Sequence, residues 1–263
     1  MMTILDFEKM KCEKRKISMV TCYDAWTARI ADGSSVDCLL VGDSVAMVVH
    51  GFESTLGATT EMMALHTAAV ARMAKKKFIV GDMPFPSFRK GIVAAMESVD
   101  ALMKAGAHAV KLEGVYGHED VVRHIVGSGV PVMGHIGLTP QSIHQLGGFR
   151  VQGREDTTAR SLMEQAKILQ DLGCFALVLE CVPSELSQKI TESLTIPTIG
   201  IGAGPFTDGQ VLVLQDLLGT HPEFKPKFLR TFMNGYQEIK NALDVYDQNV
   251  KSGAFPTEKE SYQ

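Results

Sequence analysis

The sequence predicts an α/β fold: a single (β/α)8 TIM barrel with an N-terminal cap helix and a C-terminal helical extension. Three observations carry this expectation. Short, wholly apolar runs recur along the chain, as buried parallel strands require. Segments of helical periodicity alternate with them. The 263 residues suit a fold that uses about 250 as one domain. Several runs also end alike. Leu39-Leu40-Val41-Gly42-Asp43-Ser44 and Phe78-Ile79-Val80-Gly81-Asp82 pass through glycine to an acid. Ala109-Val110-Lys111-Leu112-Glu113 and Ala176-Leu177-Val178-Leu179-Glu180 also end on acids, and Pro131-Val132-Met133-Gly134-His135 ends on histidine.

Residues 1–16 read as a short cap helix, with strands at 17–21, 38–42, 78–82, 109–113, 131–135, 176–180, 197–201 and 210–214. Asp24 is placed to cap the first barrel helix and Gly33 to stop it. Residues 44–59 are rich in Gly, Ser and Thr and read as a long lid loop. Thr59 or Thr60 caps a helix in which Met62, Leu65, Ala69 and Met73 recur at helical spacing. Pro84 and Pro86 break the chain after the third strand. Helices are expected near 91–105, 118–127, 156–172 and 184–194, with a helix start at Thr139-Pro140. The barrel core spans about 17–219, and 220–263 reads as helical and charged, all within one domain.

Composition narrows the function. A net charge of −4, with both signs dispersed, offers no basic face for nucleic acid and no polybasic membrane anchor. No apolar run approaches the roughly 18 residues of a membrane helix, and the first 16 residues hold no signal-peptide core. Cys12, Cys22, Cys38, Cys174 and Cys181 form no CxxC pair and read as buried thiols of a reducing cytoplasm.

The strand ends carry the chemistry. Asp43 and Asp82, brought together in one pocket, would repel until one protonates or a cation sits between them. Hard oxygen ligands without a His/Cys cluster suit Mg²⁺; the plainer alternative is that each aspartate caps the helix or loop after its strand. Lys111 and Glu113 point the same way, so the lysine pairs with Glu113 or with a substrate carboxylate. His135 is placed to donate to a substrate oxygen, or is a satisfied structural residue. Glu180, after a wholly apolar strand, is the candidate general base; its alternative is a capping or ion-paired glutamate. Gly200-Ile201-Gly202-Ala203-Gly204 either cradles a phosphate or allows close packing of a flat ligand or a loop; no Lys or Arg accompanies it, which favours packing. Trp26 sits on a predicted helix and reads as a packing residue, and His66 and His124, also on helices, read as surface or packing residues. These parts suggest a Mg²⁺-assisted carbon–carbon bond enzyme acting on an oxo acid, with the metal as Lewis acid and a carboxylate as base.

The segments Val41-Gly42-Asp43-Ser44, Lys111-Leu112-Glu113-Gly114, Gly134-His135-Ile136-Gly137-Leu138-Thr139-Pro140-Gln141-Ser142, Leu179-Glu180-Cys181-Val182-Pro183 and Gly200-Ile201-Gly202-Ala203-Gly204 together resemble the ketopantoate hydroxymethyltransferase family. The likeness runs from about Ile17 to Gly219. It implies transfer of the one-carbon unit of 5,10-methylenetetrahydrofolate to 3-methyl-2-oxobutanoate, giving 2-dehydropantoate and tetrahydrofolate through a Mg-stabilised enolate in pantothenate biosynthesis. By the same resemblance, Asp43 and Asp82 are Mg²⁺ ligands that also meet the substrate, with Glu113 beside the metal directly or through water. Ser44, Lys111 and His135 would hold the oxo acid, and Glu180 would remove the C3 proton. A cytoplasmic homodecamer is implied as well. Ala46 stands where the family favours glycine, and Gly57-Ala58 replaces a more proline-like turn. The runner-up is a Mg²⁺-dependent oxo-acid lyase or mutase on the same kind of barrel; a non-catalytic binding barrel is a third reading.

Overall fold

The computed structural model describes residues 2–263. Two compact units are present, Met1–Val213 and Leu214–Gln263. The first is a closed barrel of eight parallel strands in sequence order: β1 Ile17–Thr21, β2 Cys38–Val41, β3 Phe78–Asp82, β4 Ala109–Glu113, β5 Val132–Gly137, β6 Ala176–Glu180, β7 Thr198–Ile201 and β8 Gly209–Leu212. β8 closes on β1, with Met19 paired to Val211. The helices of this unit are α1 Ile4–Cys12, α2 Ala25–Asp32, α3 Val45–Val48, α4 Thr60–Met73, α5 Ile92–Lys104, α6 Glu119–Gly127, α7 Ile143–Leu146, α8 Asp156–Asp171 and α9 Ser184–Ser193. The second unit holds α10 Leu214–Leu217 and α11 Gly235–Ser252.

Each strand divides its side chains by parity. Residues 79, 110, 112, 132, 177 and 179 are buried between sheet and helices, and a Cβ on Gly134 would already meet Leu169 of α8 at 2.9 Å. The opposite parity fills the barrel: Ile17, Met19, Cys38, Leu40, Phe78, Val80, Ala109, Met133, Ala176, Val178, Ile199 and Val211 form one buried cluster. Phe7 and Met10 of α1 belong to that cluster, so the cap helix plugs one end of the barrel. Phe7 meets Phe78 and Phe175 edge-on, with ring centroids 5.3 and 5.2 Å apart, the favoured geometry for aromatic quadrupoles. Lys11 anchors the plug by donating to Asp208 and to the Thr191 carbonyl.

Caps fall where expected. Asp24 accepts from the Thr27 N–H, Thr59 from the Met62 N–H, and Gly33 ends α2. Four expectations need correction. Residues 44–59 are not one loop, because α3 and a 3₁₀ turn at Thr55–Gly57 lie inside; Val45 and Ala46 are fully buried, and that burial orders the segment despite its glycines. Residues 220–263 are not continuously helical: Pro222 and Pro226 fall in the irregular stretch before α11. Trp26 does not pack; it is 66% exposed. Among the cysteines, Cys22, Cys38 and Cys174 are buried as expected, but Cys12 is exposed and Cys181 half-buried.

The cap helix should behave as core. Phe7→Ala is expected to lower unfolding free energy by about 3–5 kcal/mol, as for other buried aromatic truncations. Chemical denaturation measures this, and a change below about 1 kcal/mol would mean the ring contributes no core packing.

Candidate active site

The inward parity that is apolar along most of each strand turns polar at the C-terminal ends. On β3 it reads Phe78, Val80, Asp82; on β4, Ala109, Lys111, Glu113; on β5, Met133, His135; on β6, Ala176, Val178, Glu180. Register then sets neighbours side by side, since adjacent strands lie about 4.8 Å apart. Asp82 pairs with Lys111, and Glu113 with His135. Asp43 comes two residues after β2 and joins them, its N–H donating to Asp82 Oδ2 at 3.1 Å. All five of these groups are buried.

Lys111 Nζ lies 2.8 Å from Asp82 Oδ1, so its protein partner is Asp82 rather than Glu113, because the register sets it beside β3. His135 bridges two glutamates: Nδ1 is 3.4 Å from Glu113 Oε1 and Nε2 is 3.2 Å from Glu180 Oε2. Lys111 Nζ also lies within hydrogen-bonding distance of His135 Nδ1, at 3.4 Å, so one ammonium serves both Asp82, as an ion pair, and the imidazole. Glu180 sits at the rim with its side chain 20% exposed, against 1% for Glu113. Ser44 accompanies Asp43 and shares a 2.8 Å hydrogen bond with the Tyr23 hydroxyl.

Burial, then the charges of Asp82 and Glu113, push the Asp43 carboxyl well above the usual range. Burial also raises Asp82, against the pull of Lys111. Glu113 goes the other way: burial would raise it, but the His135 hydrogen bond, the His135 and Lys111 charges and the Gln141 N–H together hold it low. Lys111 stays firmly protonated despite burial, through Asp82, Glu113 and Asp43. His135 is raised from 6.5 to about 9, because its two glutamates outweigh burial and the Lys111 charge.

Gln141 is a site residue that strand-end reasoning misses. Its Nε2 donates to Asp43 Oδ2 at 2.9 Å and to the Met83 carbonyl at 3.0 Å, while its backbone N–H donates to Glu113 Oε2 at 3.0 Å. It ties two acids from different strands. The signal that could have found it is Thr139-Pro140, which starts a turn with free N–H groups directed at an acid. Arg89 also reaches the site, donating to the Glu113 carbonyl. The glycine run packs against its neighbours: a Cβ on Gly204 would fall 2.2 Å from Ser184 Oγ, and one on Gly200 2.7 Å from Thr207 Oγ1. His124 lies on α6, whereas His66 bonds specifically, to Tyr23 and His50.

Among the described residues, no three His, Cys, Asp or Glu groups are gathered to hold a metal ion as the side chains stand. The residues nevertheless fit Mg²⁺. Asp43 and Asp82 are adjacent, buried and oxygen-only; burial raises both carboxyls, and the Asp82 and Glu113 charges raise Asp43 further. Asp82 Oδ1, though close to the ammonium, makes no well-directed hydrogen bond. Both Glu113 oxygens are already engaged, which suits contact through water.

In metal-free protein, His135 should remain an imidazolium at neutral pH. Its contribution to stability is complete below pH 6.5 and is lost as pH rises through about 9, because folding raises its pKa. Nitrogen-15 NMR of the ring checks this; a midpoint at or below 6.5 would remove the two-glutamate bridge.

The family profile described as ketopantoate hydroxymethyltransferase matches residues 1–258. The 3-methyl-2-oxobutanoate hydroxymethyltransferase of Coxiella burnetii (strain CbuG_Q212) is 60% identical over 252 residues, 95% of each chain. The protein of that name from Bdellovibrio bacteriovorus is 58% identical over 262 residues, covering both chains fully. Among solved structures, phosphonopyruvate hydrolase in complex with oxalate and Mg²⁺ superposes with a TM-score of 0.65 at 10% identity, covering 99% of this chain and 93% of that one. A 2,3-dimethylmalate lyase of the PEP mutase/isocitrate lyase superfamily gives 0.62 at 15% identity, covering 100% and 92%. These two likenesses establish the TIM-barrel fold alone, whereas the profile and the close relatives establish descent and activity class: the chain belongs to the ketopantoate hydroxymethyltransferase family, and is an enzyme that transfers a one-carbon group.

Proposed function

We propose that the chain transfers the one-carbon unit of 5,10-methylenetetrahydrofolate to C3 of 3-methyl-2-oxobutanoate, giving 2-dehydropantoate and tetrahydrofolate, the first step of the pantothenate branch of coenzyme A biosynthesis. The observation that carries this reading is the contrast in depth between the buried Asp43–Asp82–Lys111–Glu113 cluster and the rim carboxylate Glu180, joined through His135. Asp43 and Asp82 would hold Mg²⁺, with Glu113 reaching it through water. Bound there, the ion would supply Lewis-acid polarisation of the keto oxygen.

The protein's own groups supply the rest. Lys111 and His135 carry positive charge toward the oxo acid's carboxylate and keto oxygen, and the Ser44 hydroxyl, held by Tyr23, adds a donor. Glu180 takes the C3 proton. His135 Nε2 lies 3.2 Å from its carboxylate as an ion-pair contact, and partial exposure leaves it open to substrate. The carbanion so formed attacks the methylene carbon of the folate, forming the new C–C bond as the first of its two C–N bonds breaks; water then supplies the hydroxyl of the new hydroxymethyl group as the second C–N bond breaks, and the two released nitrogens take up the C3 proton and the proton left from water, giving tetrahydrofolate. Close positioning of the two reactants removes much of the entropic barrier.

For the whole protein we propose a cytoplasmic homodecamer, on the family resemblance. Free Cys12, Cys22, Cys38, Cys174 and Cys181 are in keeping with a reducing compartment. No helix among the described residues is long and apolar enough to cross a membrane. Tyr236, Ile239, Leu243, Tyr246 and Val250 on α11 are exposed at alternating spacings of three and four, the pattern of a helix that packs on another.

Deuterium exchange at C3 of 3-methyl-2-oxobutanoate, followed by proton NMR in D₂O without folate, tests the chemistry. Exchange should require Mg²⁺, and Glu180→Gln should slow it by about 10²–10⁴-fold, the usual worth of a positioned base, with oxo-acid binding retained. Exchange that survives in the variant would remove Glu180 as base. Adding Mg²⁺ should also lower the His135 midpoint, since a divalent charge nearby disfavours the imidazolium; an unmoved midpoint would place the ion elsewhere.

A further inference from the structure

A second cluster of metal-binding groups lies outside the carboxylate site. His50, just after α3, and His66, on α4, face each other with their Nε2 atoms 2.8 Å apart. The rings meet edge to face, with centroids 5.1 Å apart at 84°. His66 Nδ1 is 2.6 Å from the Tyr23 carbonyl oxygen. A carbonyl can only accept, so Nδ1 carries a proton. In the neutral ring, Nε2 of His66 therefore presents its lone pair to His50.

This is the local chemistry of a histidine metal ligand. Ligating imidazoles almost always donate the other ring N–H to a carbonyl or carboxylate, which fixes tautomer and orientation. The Tyr23 carbonyl does so for His66. His50 is exposed and can shift its proton to Nδ1, turning its own Nε2 lone pair inward. Two imidazole nitrogens about 2.0–2.1 Å from one tetrahedral ion stand about 3.3 Å apart. The observed pair needs to open by only a few tenths of an ångström, on the side of the exposed ring. Open solvent leaves the remaining positions to water.

We propose that His50 and His66 form a two-imidazole site for a borderline-soft divalent ion of the zinc class. Nitrogen donors select Zn²⁺, Cu²⁺ or Ni²⁺ over Mg²⁺, so this site and the all-oxygen carboxylate site take different metals. An ion there would tether the turn after α3 to α4. His50 in that turn lies six residues past Ser44, and the Tyr23 that orients His66 through its carbonyl also holds Ser44 through its hydroxyl.

The test uses the full chain in saturating Mg²⁺, which keeps the carboxylates occupied, with Cu²⁺ as probe. Electron paramagnetic resonance of the first equivalent should show hyperfine coupling to two imidazole nitrogens, and Zn²⁺ should displace that signal. His50→Gln, an exposed substitution outside the catalytic groups, should remove the two-nitrogen signal while leaving Mg²⁺-supported C3 exchange unchanged. His66→Gln should remove it too. A two-nitrogen signal that persists in His50→Gln, or a first equivalent without nitrogen coupling in the unaltered protein, would overturn the site and leave the pair as a hydrogen bond only.

Discussion

The buried ion pair between Lys111 and Asp82 is the constraint around which the open end of the barrel is arranged. An ammonium inside a barrel costs several kcal/mol to desolvate unless its partner is fixed and close. The β3–β4 register fixes it, setting the two residues side by side on the inward face. Three carboxylates then surround one lysine; burial raises Asp43 and Asp82, and on Asp43 the neighbouring carboxylates add to it. His135 answers part of the excess by holding a proton between Glu113 and Glu180. Losing one member of such a network leaves its partners buried and uncompensated, which typically costs about 3–5 kcal/mol. The site's charge balance and the stability of its rim are therefore one property.

Most of this arrangement is legible in the sequence, for a simple reason. Strand parity is local: side chains alternate with period two, so Lys111 and Glu113 must share a face, as must Ile79 and Gly81 on the other. The bounds of β1, β3, β4 and β6 coincide with the runs read from the sequence, because strands buried on both faces read as near-continuous apolar runs. What parity cannot supply is register. Whether Lys111 meets Glu113, Asp82 or a substrate depends on how β3 and β4 slide past one another, and nothing in either run specifies that. The illegible residues share the same cause. Gln141 acts through contacts to residues 98, 28 and 58 positions away. His66 is read by a carbonyl on the β1–α2 turn. Trp26 has an apolar ring, but its helix presents it to solvent.

The glycines divide along the same line. Gly81 and Gly134 lie on the outward parity, where a Cβ would press on Leu102 or Leu169 of the covering helices. Gly204 is different: its positive φ of 77° and the approach of Ser184 both demand glycine. The run around it shapes the turn where β7 meets the α9 start, which is a packing task and needs no ligand.

The arrangement of polar groups by depth separates this site from a generic metal-binding barrel. Fully buried carboxylates are poor bases for an incoming carbon acid, because they are already committed to cations and donors, as Glu113 is to His135 and Gln141. A base must be reachable and must not be neutralised by the group that orients it. Glu180 meets both conditions: a fifth of its side chain is exposed, and its contact with His135 Nε2 engages one oxygen, Oε2. Glu180 on β6 lies two residues above Val178 on the apolar wall and diagonal to His135 across the β5–β6 register, the position the proposed removal of the C3 proton needs. Chemistry at this rim is thus set by how far each carboxylate rises above the apolar layers, a distance counted in single residues along the strand.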